Sequence, residues 1–292
     1  MSYFTKCVTY LQITSLCNAK CIMCDMWQRP IKHLPYDDIL NILNYVAVVR
    51  PRSEVRFTGG EPCLHPNILE ILKETKRRKL SVSLISNGTV LERPDIIEIG
   101  FDRLFLSVDS QFQDIQKEIR GKCVDKKLLQ SFSNIIANVI LSKINQGEVN
   151  EIPYWLKKKG INIINLIPMK TDPFKLPQDR LTEILCEVLK VCFDLNINHF
   201  VEGLENNGID ARSVINVMRN ITSSIRCIVP KYVQFYRVDG ERYYCNSSPH
   251  NISSDKLLDH KNIYCKQCRI YRAGKCDYSN IILNGLSSMR YV

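Results

Sequence analysis

Apolar and polar residues alternate along several short runs of the chain. Leu11 and Ile13 oppose Gln12 and Thr14. Val55 and Phe57 oppose Glu54 and Arg56. Leu104, Leu106 and Val108 oppose Arg103, Phe105, Ser107 and Asp109. Successive side chains of a strand point to opposite faces, so each run reads as a strand with one apolar and one mostly polar face. The strands predicted in this way cover 7–14, 54–58, 80–86, 103–108, 135–141 and 161–168. Between them the apolar spacing turns helical, near 36–49, 66–79, 111–119 and 148–159. Further helices are predicted over 178–195 and 209–220.

Repeated strand–helix–strand units imply a parallel sheet with helices outside it. Six such units predict an α/β fold, a partial (β/α)6 TIM-like barrel. A doubly wound sheet is the competing architecture. Strands buried on both faces read as continuous apolar runs, whereas the polar faces here suit a barrel whose lumen is a ligand site. From about 222 the sequence becomes rich in Tyr and Cys and hairpin-like. The expected organisation is a barrel over 1–205, then a linker helix and a small β-hairpin/helix domain over 206–292.

Composition narrows the class. The 292 residues are 45% hydrophobic and 24% charged, which suits a globular protein and excludes a disordered or collagen-like chain. No apolar run is long enough to span a membrane, and residues 1–6 lack a signal-peptide apolar region, so a cytoplasmic location is expected. The net charge is +10. Its clusters, Lys73, Lys76, Arg77, Arg78 and Lys79, and Lys157, Lys158 and Lys159, sit at the C-terminal ends of predicted helices. Cations there complement the helix dipole, so a solvated surface is the expectation rather than a nucleic-acid interface. A positive field also favours an acidic small molecule. The 13 cysteines are an odd number without a secretion signal, which argues for metal chemistry over a disulfide framework.

Three of these cysteines form the triplet Cys17-Asn18-Ala19-Lys20-Cys21-Ile22-Met23-Cys24. It follows the first predicted strand, at the end where ligands gather in α/β barrels. Three thiolates on one loop can hold three irons of a [4Fe–4S] cube and leave the fourth open. A structural zinc site asks for four ligands, and no fourth is local. The triplet resembles the signature of the radical S-adenosylmethionine (SAM) enzymes, and further segments follow in that family's order. Thr58-Gly59-Gly60-Glu61-Pro62 resembles the glycine-rich loop for the SAM methionine moiety. Its glycines would let backbone approach the ligand, and Glu61 would pair with the amino group. Ser86-Asn87-Gly88 closes the third strand. Ser107-Val108-Asp109 resembles the ribose-facing part, Ile119-Arg120-Gly121 recurs in many relatives, and Leu166-Ile167-Pro168 matches the backbone that meets adenine. Met23 belongs to the cofactor-binding set and stands where the wider family often has an aromatic residue.

A second set, Cys227, Cys245, Cys265 and Cys268, is spaced around Gly240. A zinc ribbon and an iron–sulfur site need the same four thiolates. The spacing resembles the twitch (SPASM/twitch-type) appendage of the radical SAM branch with extra clusters, which implies one auxiliary [4Fe–4S] cluster. Gly240 after Asp239 reads as a hairpin turn.

The resemblance implies reductive cleavage of SAM to a 5′-deoxyadenosyl radical, which takes a hydrogen atom from a substrate, with a flavodoxin- or ferredoxin-type electron donor. The substrate expected is small and polar or acidic: a sugar, aminocyclitol or nucleoside, in a dehydrogenation or related natural-product tailoring step. Arg56 and Lys170 are the candidate catalytic residues, with Gln12, Glu54 and Arg103 as further substrate-facing groups. The alternatives are a sugar-acid or nucleoside decarboxylase and a maturase acting on a ribosomally made precursor peptide.

Overall fold

The computed structural model describes residues 8–124, 129, 132, 134–201, 233–240 and 242–243. Strands and helices alternate in chain order: β1 (Val8–Thr14), α1 (Tyr36–Val49), β2 (Glu54–Gly59), α2 (Ile68–Arg77), β3 (Ser81–Ser86), α3 (Pro94–Ile99), β4 (Arg103–Ser107), α4 (Gln113–Arg120), β5 (Ile135–Leu141), α5 (Ile152–Lys158), β6 (Ile163–Pro168), α6 (Gln178–Asp194) and β7 (Asn198–Val201). After these come β8 (Val233–Tyr236) and β9 (Arg242–Tyr243). Six parallel strands alternating with helices make this the expected partial TIM-like α/β barrel. The described residues fall into two compact units divided between Leu106 and Ser107, with 233–243 in the first.

In the first unit β2 pairs in parallel with β1 and β3, and β3 with β4. Leu11, Ile13, Val55, Phe57, Val82, Leu84, Leu104 and Leu106 are fully buried. Those on β1, β2 and β4 are the alternate positions that the sequence pattern assigns to the helix side, and Val82 and Leu84 continue the same face on β3. They meet helices with matching stripes: Ile39, Leu43 and Val46 on α1, and Ile68, Ile71 and Leu72 on α2. Three- and four-residue spacing puts each set on one helix face. The other sheet face carries Tyr10, Gln12, Glu54, Arg56, Ser83 and Arg103. β8 also pairs in parallel with β1, and β9 runs antiparallel to β8 through a turn in which Gly240 adopts φ +79°. The hairpin read from Asp239-Gly240 is therefore present, and its first strand covers the edge that β1 would otherwise leave open.

In the second unit β5 pairs with β6, and β6 with β7, all in parallel. All seven residues of β5 are buried. This explains why its sequence is nearly continuously apolar where β1 and β2 alternate. The one polar residue, Asn138, sits opposite Asn165 and accepts a hydrogen bond from its Nδ2 at 2.9 Å.

The predicted strands and the helices predicted over 36–49, 66–79, 111–119 and 178–195 recur within about two residues of their observed ends, whereas the helix predicted over 148–159 starts only at Ile152, after a run of turns. α3 has no counterpart in the prediction: its six residues start at Pro94 and make under two turns, too few for an apolar period to register. The helix predicted over 209–220 lies outside the described residues. At the basic end of α2, Arg77 and Arg78 pair with Glu74, and Lys76 Nζ donates to the Ile99 carbonyl at 2.6 Å. Among the described residues, no helix is long and apolar enough to cross a membrane.

Candidate functional site

The cysteine loop leaves β1 at Thr14 and is closed at its base by the returning segment 30–34. Ser15 N–H donates to the Lys32 carbonyl at 2.9 Å, and Lys32 N–H donates to Ser15 Oγ at 2.7 Å. Ser15 Oγ donates to the Pro30 carbonyl at 2.8 Å, and Leu34 N–H donates to the Ile13 carbonyl at 2.8 Å. Thr14 Oγ1 accepts from Leu16 N–H at 3.0 Å and lies 3.0 Å from His33 Nδ1.

The end of β2 is locked onto this loop. Gly60 N–H donates to the Thr14 carbonyl and Glu61 N–H to the Leu16 carbonyl, each at 2.8 Å. A Cβ at Gly59, whose φ is +139°, would lie 2.1 Å from the Thr14 oxygen. One at Gly60 would lie 2.2 Å from the Leu16 oxygen. The neighbour that makes both glycines necessary is the backbone of the cysteine loop itself. Pro62 opens a short 3-10 turn and is buried.

Glu61 joins a third loop to these two. It is fully buried. Its carboxylate accepts from Ser86 Oγ at 3.1 Å, from Asn87 N–H at 2.8 Å and from Cys63 N–H at 3.2 Å. Burial pushes its pKa up, opposed by these donors. Asn87 Nδ2 then reaches across to Cys17 Sγ at 3.7 Å and to Asn18 Oδ1 at 2.9 Å, and Asn18 Nδ2 donates to Thr89 Oγ1 at 3.0 Å. The ends of β1, β2 and β3 thus form one hydrogen-bonded unit around the first cysteine.

Cys17 and Cys21 are half-buried and Cys24 is exposed. Met23 between them is half-buried. Burial pushes the Cys17 thiol up, and a hydrogen bond with the Ala19 backbone pulls it down. The nearby charges of Glu61 and Cys24 push it up again, and Asn87 lowers it. Met26 N–H donates to Cys24 Sγ at 3.5 Å. Three thiols on one closed loop, with N–H donors already at two sulfurs, fit the donor set of a [4Fe–4S] cube open at one iron. Among the described residues no three His, Cys, Asp or Glu side chains stand around a single-ion site; a cube presents a separate iron to each thiolate.

Below this end of the first unit, on the polar face, lies a buried charge network. Glu54, with its side chain 1% exposed, pairs with Arg56 at 2.5 Å and Arg103 at 2.6 Å, and accepts from Ser83 Oγ at 2.7 Å. Burial alone would raise the Glu54 pKa; the guanidinium of Arg56, then Arg103 and Ser83, override this and hold it at about 2. Arg56 also donates to Tyr10 Oη at 2.7 Å and stacks on the rings of Phe105 and Tyr10, at 4.4 and 5.3 Å. Its Nε, Nη1 and Nη2 all donate inside the network. Gln12, one row nearer the cysteines, accepts from Val238 N–H at 3.2 Å.

In the second unit Ser107 and Asp109 are buried. The Ser107 carbonyl accepts from Gln116 Nε2 at 3.1 Å. Asp109 is fully buried, paired with Arg120, and its Oδ1 accepts from Ile140 N–H at 2.7 Å. Asp109 N–H donates to Gln116 Oε1 at 2.7 Å. The segment Ile119-Arg120-Gly121 therefore has a structural use here: Ile119 is core, Arg120 neutralises Asp109, and Gly121 ends α4 at φ +65°. Leu166 and Pro168 are buried, Ile167 is half-buried, and Lys170 is exposed. Cys227, Cys245, Cys265 and Cys268 lie outside the described residues.

Sequence reasoning passed over Thr14, Ser15, Asn18, His33 and Thr89. The available signal was the polar Thr14-Ser15 pair directly ahead of the first cysteine. The partners of these residues come from other strands and have no sequence spacing to reveal them.

The family model described as the Radical SAM superfamily matches residues 11–172. A tungsten-containing aldehyde ferredoxin oxidoreductase cofactor-modifying protein of Pyrococcus furiosus is 27% identical over 183 residues, 55% of this chain and 51% of that protein. A GTP 3′,8-cyclase of Lactiplantibacillus plantarum is 31% identical over 176 residues, 52% of this chain and 51% of that protein. The chain spans about half the length of these curated relatives. Among solved structures, Streptococcus suis SuiB bound to precursor peptide SuiA matches with a TM-score of 0.70 at 17% identity, over 92% of this chain and 71% of that one. Native anSMEcpe with bound AdoMet and Kp18Cys peptide matches with a TM-score of 0.63 at 15% identity, over 91% and 87%. These two likenesses are likenesses of fold.

Proposed function

Because the chain belongs to the radical SAM superfamily, we propose that Cys17, Cys21 and Cys24 hold a [4Fe–4S] cluster with SAM at its open iron, and that the chain takes a hydrogen atom from a small polar or acidic substrate. When bound and reduced by one electron, cluster and SAM together supply methionine and the 5′-deoxyadenosyl radical. The observation that carries this reading is the locked cysteine loop: three thiols seated on Gly59 and Gly60, with Asn87 and Met26 donating to sulfur.

The chain's residues then divide by task. Gly59 and Gly60 hold the cysteine loop against β2. Glu61 fixes the Ser86–Asn87 turn, and Asn87 directs its amide at Cys17. We assign the SAM methionine moiety to the 58–62 loop and Met23, the ribose to the Ser107–Asp109 segment, and adenine to the backbone of Leu166, Ile167 and Pro168. Cys227, Cys245, Cys265 and Cys268 are assigned to a twitch-type auxiliary [4Fe–4S] cluster, and a flavodoxin- or ferredoxin-type protein to electron supply.

The substrate class proposed is a sugar, aminocyclitol or nucleoside. Support comes from the net charge of +10, from the cationic polar face, and from a relative whose name specifies GTP. A peptide substrate is the second reading, favoured by fold neighbours solved with the peptides SuiA and Kp18Cys. Turnover of SAM with deuterated candidates separates the two. Deuterium recovered in 5′-deoxyadenosine from a deuterated nucleoside or sugar supports the first; recovery only from a deuterated peptide overturns it.

A further inference from the structure

We propose that Arg103, fixed by Glu54 on the polar face of the first unit, anchors an anionic group of the substrate, a phosphate or a carboxylate. The inference rests on the reading that this face receives the substrate, and it narrows that substrate's chemistry.

Tyr10, Arg56, Ser83 and Arg103 are consecutive register partners across β1, β2, β3 and β4. They form one transverse row, on the face opposite the fully buried Leu11, Val55, Phe57, Leu84 and Leu104. Glu54, two residues before Arg56 on the same face, is the carboxylate to which both arginines bind. Two guanidinium groups share one carboxylate, so among the described residues the group carries one positive charge in excess. A shared carboxylate also occurs at Glu74, but there Arg77 is 68% exposed and water solvates the excess. On the polar face the side chains of Arg56 and Arg103 are only 11% and 20% exposed. Charge held this far from water calls for a partner.

The two arginines differ in what they have left to offer. Arg56 is committed to Glu54 and Tyr10 and is stacked between two rings. Arg103 gives Nη1 to Glu54 and makes no other hydrogen bond or ion pair among the described residues. A guanidinium has five N–H donors in a planar fork, shaped for two-point contact with a carboxylate or phosphate. The bond from Nη1 to Glu54 tethers the guanidinium and leaves Nε and Nη2 to offer, and a tethered side chain loses less freedom when a ligand arrives.

The placement suits a small molecule. From the Arg56 row to Gly59 is three residues along β2, roughly 10 Å at the rise of a parallel strand. An anion held at Arg103 would leave the rest of a substrate to extend toward the cysteine end of the sheet.

The test is calorimetric titration of the reconstituted holoprotein with inorganic pyrophosphate at low ionic strength, with SAM cleavage of the wild type measured in parallel. Saturable binding is expected. It should weaken at least tenfold in Arg103→Gln and two- to fivefold in Arg103→Lys, which keeps the charge and loses the fork, and stay unchanged in the surface variant Lys157→Gln. Absence of saturable binding, binding by Arg103→Gln equal to the wild type, or an equal loss in Lys157→Gln would each overturn the proposal. If Arg103→Gln does not fold, Arg103→Lys decides: undiminished binding overturns the inference. Wild-type protein that binds pyrophosphate without cleaving SAM leaves the anchor standing and refutes the enzymatic reading. Cleavage without binding refutes the anchor alone.

Discussion

Gly60 shows how much of the site is decided by single atoms. A methyl group there would meet the Leu16 oxygen at 2.2 Å and the Ser15 oxygen at 2.7 Å, and backbone offers no rotamer escape. Gly60→Ala should therefore push the cysteine loop away from β2. The expected result is a loss of about 1–3 kcal/mol in denaturant unfolding with reduced iron after reconstitution; wild-type stability and iron content would contradict the clamp. Glu54 makes a second residue-level prediction. Its folded pKa is depressed to about 2 from an ordinary 4.5. A depressed carboxylate contributes stability that is complete above its unfolded pKa and is lost as pH falls through the folded one. The stability difference between wild type and Glu54→Gln should thus be constant above about pH 5 and shrink between pH 4.5 and 2. Urea midpoints across that range measure it, and a flat difference would contradict the buried network. Cys17, Cys21, Cys24, Gly59 and Gly60 were legible because they are near neighbours at telling spacings. The Asn18–Asn87–Thr89 bridge was not, because it exists only once the ends of β1 and β3 meet.

Elements repeat this contrast. β1 and β2 announce themselves by alternation, since one face meets helices and the other meets polar groups. β5 reads as a plain apolar run because all its residues are buried. β8 carries a strand-like pattern, yet nothing local says that it pairs with β1 in parallel, a partner more than two hundred residues away. The expectation that Asp109 faces ribose illustrates how a loop motif can also have a packing use. Its carboxylate ties the end of β4 to α4 and β5 through Arg120 and Ile140. At this scale the helix-facing side of the sheet should hold most of the stability of the first unit. Phe57, fully buried on β2, should cost about 3–5 kcal/mol when replaced by Ala, read from guanidinium unfolding; a change below 1 kcal/mol would mean that the α1–α2 layer does not pack on this face.

At the scale of the molecule, the barrel class followed from six strand–helix units and the polar faces of the early strands. The proposed function divides the cysteine excess into a cluster-binding triplet, an auxiliary set and remaining thiols such as Cys63 and Cys192, both buried. If the second set ligates a cluster, anaerobically purified chain should hold about eight irons and eight sulfides; about four of each would remove the auxiliary cluster. The charge of +10 becomes informative only with the structure. Arg77 and Arg78 of the α2 run pair with Glu74, while among the described residues Arg56 and Arg103 share the single carboxylate of Glu54 on the polar face of the first unit. Whether this loop works on SAM is read from the 5′-deoxyadenosine that reconstituted protein forms under reducing conditions. Wild-type protein should form it and Cys17→Ala should not; equal formation by the two would contradict the assignment.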